Sequence, residues 1–319
     1  MPVPHPTSPA EVAAALAEVG YLADEGLAAA VFLAVRLRRP LFLEGEPGVG
    51  KTALAEALAR VLGASLIRLQ CYAGIDASQA LYDWNFPRQL LRLRALGEAA
   101  DAEAAAAATA SLYTREFLVA RPVLQALENA PAVLLVDEID RADDEFEAFL
   151  LEVLESYAVS IPELGTIRAA VPPLVVLTSN RSREVHDALK RRCLYHWIAH
   201  PDVTRETEIL RRRLAGLDAR LAADIAAAMA RLRRADLVKP PGIAESLDLA
   251  RAALELGESR LSPTLAEAAL GTVAKHHEDR ATVRRELARP APPDGRAGSG
   301  GTTVGTPAAG RDAATGTPA

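Results

Sequence analysis

The sequence predicts an α/β protein with a parallel sheet, followed by a wholly helical domain. Three observations support this fold class. Short apolar segments recur along the first 200 residues and alternate with helical patterns, as in βα units. A glycine-rich loop joins the first such strand to its helix. From Arg205 to about Ala288 only helical patterns remain, so we expect an α/β core at 1–200 and a helical domain at 201–288.

Each element follows from local signals. Ser8, Pro9 and Glu11 form an N-cap, N1 and N3 sequence that predicts a helix ending near Gly20. Further helices are predicted from about Asp24 to Arg38 and from Lys51 to Leu62. Buried strands are predicted at 41–44, 132–140 and 173–180, and a further strand at 65–72. The "PELG" turn in "AVSIPELGTIRAA" predicts a hairpin.

Three segments lack the signals of a packed element. The first eight residues or so are rich in proline, and we expect them to be loose. The alanine-rich run at 99–110 has helical propensity but no apolar face, which predicts an exposed helix or a mobile insertion. The tail at 289–319 consists largely of Gly, Pro, Ala and Thr, and we expect it to be disordered because it cannot bury enough apolar surface.

Composition narrows the classes of function. The 319 residues carry a formal net charge of −6, which gives no strong attraction to nucleic acid or to an anionic membrane. Cys71 and Cys193 lie far apart and form no metal-binding pair. No run of 18 apolar residues and no signal-peptide pattern is present, so we expect a cytoplasmic protein without a membrane span.

The segment "GEPGVGKT" from Gly45 to Thr52 has the spacing of a P-loop. Its glycines let backbone N–H groups cradle phosphates at the positive end of the following helix, Lys51 can reach the terminal phosphates, and Thr52 can hold Mg²⁺. A glycine-rich turn that binds nothing is the alternative, which the strand–loop–helix context disfavours. We expect ATP or GTP with Mg²⁺, contacted by Glu46, Pro47, Gly48, Val49, Gly50, Lys51, Thr52 and Ala53.

Polar residues end two later strands. Asp137 and Glu138 follow the apolar run 133–136, where an aspartate can hold the Mg²⁺ shell and a glutamate can act as general base toward water. Asn180 ends the next strand and could orient that water. Acids at a strand end and a turn asparagine are the plain alternatives, but the upstream P-loop favours a catalytic interpretation of all three.

Charged residues near these strands are harder to interpret. Arg191 and Arg192 end a short helix in "ALKRRCLYHW", and either a solvated basic helix end or a pair that reaches a neighbouring subunit's γ-phosphate would fit. We favour the second interpretation, with Arg192 first. Asp140, Arg141 and Asp143 are either a solvated helix start or part of a subunit contact.

The order of these motifs resembles that of the AAA+ ATPases, and most closely of their MoxR branch. The supporting segments are "GEPGVGKT", "LLVDEIDRA", the hairpin "VSIPELGTIRA" before "TSN", and "ALKRRCLYHW". Within that branch, "LQCYAGIDASQALYDWNFPRQLL" and "KPPGIAESLDLARA" resemble the CoxD-like group, whose members accompany carbon-monoxide-dehydrogenase-type molybdenum hydroxylases. The resemblance spans about residues 8–285.

This resemblance implies a three-layer α/β/α core, a helical lid and a ring, commonly a hexamer. It implies ATP hydrolysis for chaperone-like remodelling of a protein client, such as a molybdenum hydroxylase, often beside a partner with a von Willebrand factor A domain. One position departs from the pattern. Glu245 stands where many relatives carry a lid arginine, and Arg251 on the same helix is a candidate substitute.

Two other activities fit parts of the sequence. A AAA+ motor on nucleic acid would share the core, but the acidic balance disfavours it. A nucleotide-gated scaffold with little turnover would also share it. The aromatic residues Tyr72, Tyr82, Trp84 and Phe86 either pack on the core or face a substrate, and "RRRL" at 211–214 is predicted to be a solvated helix face.

Overall fold

The computed structural model describes residues 6–96, 107 and 109–289. The tail beyond Arg289 and most of the alanine-rich run at 99–110 lie outside the described residues, as do the first five residues. None of the described helices is both long and apolar enough to cross a bilayer.

Five parallel strands form the central sheet. Its order is β2–β5–β8–β1–β9, and two short antiparallel pairs, β3–β4 and β6–β7, lie outside it. The strands are β1 (Leu41–Glu44), β2 (Ser65–Gln70), β3 (Tyr82–Trp84), β4 (Leu118–Ala120), β5 (Ala132–Asp137), β6 (Ala158–Ile161), β7 (Gly165–Arg168), β8 (Leu174–Ser179) and β9 (Leu194–Trp197). The β6–β7 pair is the hairpin predicted around "PELG".

Helices connect these strands and continue after them. Within the first part of the chain they are α1 (Pro9–Glu18), α2 (Glu25–Leu37), α3 (Lys51–Val61), α4 (Ala77–Leu81), α5 (Phe86–Leu96), α6 (Pro122–Glu128), α7 (Asp144–Ser156) and α8 (Asp187–Arg192). The later ones are α9 (Val203–Arg213), α10 (Ala219–Leu232), α11 (Ile243–Glu255), α12 (Pro263–Ala268), α13 (Leu270–Val273) and α14 (Arg280–Ala288).

The central sheet buries apolar side chains on both faces. Along β5, Val133 and Leu135 join a cluster with helices α1, α2 and α3, whereas Leu134 and Val136 join a second cluster with α6 and α7. Alternate residues of a strand point to opposite faces, so a strand that is buried on both sides reads as a continuous apolar run. This arrangement is the predicted three-layer α/β/α core.

Helices α9–α14 form a bundle with an apolar cluster of their own. We call residues 203–288 the helical bundle. It touches the sheet region where α11 begins, because the backbone N–H of Ile243 donates to the carbonyl of Gly48 at 3.0 Å. A Cβ on Gly242 would lie 2.8 Å from Gly48 Cα, so only glycine allows this approach. Helix α11 of the bundle therefore begins in direct contact with the glycine-rich loop.

Candidate functional site

A cleft of about 790 Å³ lies between the carboxyl edge of the sheet and the helical bundle. Carboxyl ends of parallel strands meet at one edge of a sheet, where ligands commonly bind. The loop after β1, the end of β5 and the end of β8 all contribute. Of the residues predicted from the sequence, those that line the cleft are Pro47, Gly48, Val49, Gly50, Lys51, Thr52, Ala53, Asp137, Glu138 and Asn180.

The loop 45–50 adopts backbone conformations that require glycine. Gly48 and Gly50 have φ values of +81° and +99°, which side-chain-bearing residues rarely adopt. A Cβ on Gly45 would lie 2.3 Å from the carbonyl oxygen of Ile198. The loop ends at α3, an eleven-residue helix whose N-terminal N–H groups favour an anion. The cradle thus suits phosphate groups. Glu46 does not line the cleft, although its carbonyl contacts Lys51.

Lys51 is held inside this loop. It is 6% exposed, and its Nζ donates to the carbonyls of Gly45 at 2.7 Å and Glu46 at 2.9 Å. Burial lowers the pKa of Lys51, and the carboxylates of Asp140 and Asp137 oppose that shift. The cation therefore lies at the loop with negative groups behind it, as phosphate binding requires.

Asp137 lies opposite the first turn of α3. Its carboxylate accepts from Thr52 Oγ1 at 3.2 Å and from Thr178 Oγ1 at 2.5 Å. Arg68 Nη2 also lies 2.5 Å from Asp137 Oδ2. A hydroxyl and a carboxylate at this separation are the protein ligands expected for Mg²⁺ bound with a nucleotide. The donor set at Thr52 and Asp137 therefore fits that ion.

Glu138 turns away from the strand in a left-handed conformation, with φ +57°. Its N–H donates to Thr178 Oγ1 at 2.9 Å, and its Oε1 accepts from Asn180 Nδ2 at 3.2 Å. Its Oε2 accepts from Gln70 Nε2 at 3.1 Å and lies 2.9 Å from Arg141 Nε. A non-glycine residue at positive φ beside a cleft is typical of functional sites. The structure thus brings Glu138 and Asn180 together, as the catalytic interpretation expects.

Asp140 has a role that the sequence did not predict. It is 2% exposed and is neither a solvated helix start nor a surface contact in this chain. Its carboxylate accepts from the N–H groups of Asn180 at 3.2 Å and Ser182 at 2.8 Å. A buried carboxylate with several N–H donors is well satisfied. Asp140 therefore fixes the loop that carries Asn180, whereas Asp143 caps α7 by accepting from Phe146 N–H.

Arg191 and Arg192 lie outside the cleft. Arg192 Nη2 is 3.1 Å from Glu155, and both arginines are exposed at the end of α8. The side chain of Arg39 donates to the carbonyls of Arg191 and Arg192, which fixes this helix end. The geometry gives neither arginine access to its own chain's cleft, so any role in hydrolysis would be at another subunit.

On the bundle side of the cleft, Glu245 and Arg251 both make contacts within their own helix. Glu245 Oε2 accepts from Gly242 N–H at 2.9 Å and caps its own helix, and Arg251 pairs with Asp248 on an exposed face away from the cleft. Arg213, in the segment predicted to be a solvated face, is exposed as predicted and also lines the cleft.

Three polar contacts at the site were missed from the sequence: Thr178, Gln70 and Arg68. Each reaches Asp137 or Glu138 from a neighbouring strand. Gln70 pairs in register with Asp137 across β2 and β5, but strand pairing cannot be read from spacing alone. The weak signal available was the alternation of polar Arg68 and Gln70 around buried Leu69.

Comparisons with known proteins agree with this geometry. Residues 40–193 match the family described as the AAA domain, dynein-related subfamily. A stretch of 48 residues is 48% identical to midasin of Giardia intestinalis, which corresponds to 15% of this chain and 1% of midasin. The chain thus spans a very small part of the curated relative that it matches.

Among solved structures the chain is similar to RuvB of Thermotoga maritima. The P216G mutant is 18% identical over 83% of this chain and 70% of RuvB, with a TM-score of 0.47. The structure described as the Holliday junction branch migration motor is 18% identical over 84% of this chain and 72% of RuvB, with a TM-score of 0.43. Likeness at this level carries no argument about activity.

Residues 40–193 thus carry an AAA domain built on a parallel sheet. This confirms the predicted fold class and supports the prediction of an ATPase.

Proposed function

We propose that this chain is a MoxR-type AAA+ ATPase that uses Mg²⁺-dependent ATP hydrolysis to remodel or mature a protein client. One observation carries the catalytic part of the proposal. Lys51, Thr52, Asp137, Glu138 and Asn180 line one cleft at the carboxyl ends of three adjacent strands. Phosphate binding, metal binding and water activation need groups placed together in this way.

The role of each residue follows from its contacts. The loop N–H groups and Lys51 bind the phosphates, while Thr52 Oγ1 and the Asp137 carboxylate hold the metal shell. Bound Mg²⁺ supplies charge neutralisation for the phosphates. Glu138 accepts a proton from the attacking water, and Asn180, 3.2 Å from Glu138, orients that water. A carboxylate oxygen carries two lone pairs, so Glu138 Oε1 can accept from Asn180 and still take up the proton.

Two substitutions test this assignment. Lys51→Ala should abolish ATP binding, measured with a fluorescent nucleotide, because the buried cation at the loop is lost. Glu138→Gln should still bind ATP but hydrolyse it about 100-fold more slowly, as expected when a general base is removed. Glu255→Gln, which neutralises an exposed glutamate at the end of α11, is the matched control. Equal turnover in Glu138→Gln and wild type would refute the assignment.

We further propose that the chain works as a hexameric ring in which Arg192, assisted by Arg191, completes the neighbour's site. The position of both arginines outside their own cleft supports this. Arg192→Ala should bind ATP normally and hydrolyse it slowly. Mixing it with Lys51→Ala subunits should restore part of the turnover, because an Arg192→Ala site then receives an intact neighbouring arginine. No recovery in the mixture would remove the support for a finger in trans.

A protein client is favoured over nucleic acid by the surface of α5. Phe86 and Leu90, four residues apart on one helix face, are each 58% exposed, and Leu91 is also exposed. Tyr82 and Trp84, by contrast, pack on the core cluster. Exposed large apolar side chains that recur along one helix are typical of protein contacts. The net charge of −6 also disfavours a phosphate backbone as partner.

The proposed client is a molybdenum hydroxylase, and the proposed partner is a protein with a von Willebrand factor A domain. Both rest on the resemblance of the segments 69–91 and 239–252 to the CoxD-like group. The ATP-bound Glu138→Gln variant should retain these partners in co-purification from co-expressing cells, whereas Lys51→Ala should not. Tight, steeply salt-dependent binding to DNA in a mobility-shift titration would instead support the nucleic-acid motor.

A further inference from the structure

Strand β2, at one edge of the described sheet, contacts the two acids at the end of β5, Asp137 and Glu138. Arg68 Nη2 lies 2.5 Å from Asp137 Oδ2 and also donates to Gln70 Oε1 at 2.5 Å. Gln70 Nε2 in turn donates to Glu138 Oε2. Arg68 does not line the cleft, so its guanidinium reaches the carboxylate from the flank of the sheet at β2.

Arg68 occupies the carboxylate that the Mg²⁺ ligand set requires. Asp137 is almost completely buried, and its two oxygens are shared among Thr178, Thr52 and Arg68. Thr178 and Thr52 bring no charge, whereas Arg68 brings a full positive charge. Because two cations near one carboxylate repel each other, Arg68 and a hydrated Mg²⁺ compete for Asp137.

The exposure of the Arg68 side chain indicates that it can move away from Asp137. Its side chain is 52% exposed, whereas that of Asp137 is 4% exposed. A half-exposed arginine on an edge strand can rotate into water at little cost, while Asp137 is fixed by β5 and by the hydroxyl of Thr178. Solvent-exposed ion pairs are worth on the order of 1 kcal/mol. Arg68 is the exposed partner here, so its guanidinium regains water on leaving, and Mg²⁺ would replace its charge beside the buried Asp137. The contact is therefore displaceable.

We propose that Arg68 is a built-in competitor for the metal, which sets the Mg²⁺ concentration at which nucleotide binds productively. The Asp137 carboxylate would become available to Mg²⁺ only after Arg68 has left it. This inference rests on the proposed function, because it assumes that Asp137 is part of the Mg²⁺ site. It assigns Arg68 a positioning and regulatory role and no contact with the reacting atoms.

The test measures metal dependence rather than turnover. The affinity of the full chain for a fluorescent ADP is measured over a series of free Mg²⁺ concentrations, and the Mg²⁺ concentration at half of the full effect is recorded. Arg68→Met should lower that concentration about 5-fold, the factor that corresponds to a weak ion pair. Arg68→Lys, which keeps the charge, should stay closer to wild type, and this second variant tests the inference even if Arg68→Met folds poorly.

Arg92→Met is the matched control, since it removes one exposed positive charge on α5, away from the cleft. It should leave the Mg²⁺ dependence unchanged. If Arg68→Met requires as much Mg²⁺ as wild type, or more, the competitor role is wrong.

Asp137→Asn separates this inference from the proposal on which it depends. Loss of the Mg²⁺ effect in Asp137→Asn, with no shift in Arg68→Met, would overturn the competitor role alone. A Mg²⁺ effect that survives in Asp137→Asn would overturn the assigned metal site and the competitor role with it.

Discussion

The carboxyl edge of the sheet and the helical bundle both bury charged side chains, but these side chains differ in what they contact. At the sheet edge, Asp137 is buried and yet lines the cleft. In the bundle, Glu206 is fully buried, does not line the cleft, and pairs with Arg233 at 2.6 and 2.8 Å. Burial of a charge is therefore no guide to a functional site by itself. What distinguishes Asp137 is that one side of it is left open to a ligand.

The bundle's ion pair is complete within the protein. Glu206 also accepts from Ser246 Oγ at 2.5 Å, and Arg233 Nε donates to the carbonyl of Pro241 at 2.8 Å. These contacts join α9, the end of α10 and the start of α11. Because α11 begins against Gly48, the pair also determines where the bundle meets the glycine-rich loop.

The largest effect that we expect comes from breaking this pair. Glu206→Ala leaves Arg233 buried without its partner and should lower the free energy of unfolding by about 3–5 kcal/mol. Urea unfolding followed by circular dichroism measures it. Asp248→Ala, which removes the exposed partner of Arg251, is the control and should change stability by less than about 0.5 kcal/mol. Equal effects in the two variants would mean that burial does not distinguish the pairs.

A smaller effect is expected where the two regions meet. In Gly242→Ala the new Cβ would lie 2.8 Å from Gly48 Cα and 3.0 Å from the Pro47 carbonyl, which must separate the bundle from the loop. Nucleotide affinity should fall about tenfold, equivalent to about 1.4 kcal/mol. Titration with a fluorescent nucleotide measures this.

Gly271→Ala on α13 is the matched control, because outside its chain neighbours and its own helix backbone no described atom lies within 4 Å of the position that its Cβ would take. It should bind nucleotide as wild type does. If Gly242→Ala also binds normally, the contact between α11 and the loop does not contribute to the site.

Much of the sheet edge could be predicted from the sequence, because its signals are local. The P-loop spacing, the apolar run before Asp137 and the strand before Asn180 each occupy a few consecutive residues. In a parallel sheet, strand ends converge on one edge, so local signals were enough to predict that these residues meet. The helix predicted from about Asp24 to Arg38 is α2 (Glu25–Leu37), and Asp24 caps it by accepting from Leu27 N–H at 2.7 Å.

The parts that could not be predicted depend on contacts between distant segments. Whether Asp140 is solvated or buried is decided by the loop 180–182, about 40 residues away in sequence. The contacts of Arg68 and Gln70 depend on which strand pairs with β5 and in which register. Arg213 lines the cleft because the bundle folds over the sheet edge. The spacing of residues along the sequence does not predict any of these contacts.

The smallest effect that we expect concerns His200, which lines the cleft where the two regions join. Burial, together with the positive charges of Arg233 and Lys51, lowers the pKa of His200 to about 4, although the Glu245 carboxylate opposes this shift. An unfolded histidine titrates near pH 6.5. Between about pH 6.5 and 4 the unfolded chain therefore binds more protons, and the contribution of His200 to stability is lost as the pH falls through this window.

His200→Gln should flatten the fall in unfolding free energy between pH 6.5 and pH 4, because the residue can no longer take up a proton in the unfolded state. Urea unfolding at a series of pH values measures the slope. Since His200 is partly exposed, we expect solvent to screen its charge and the change in slope to be modest. An identical slope in the variant would mean that protonated His200 is tolerated in the folded protein, and that the junction between the sheet edge and the bundle does not exclude charge there.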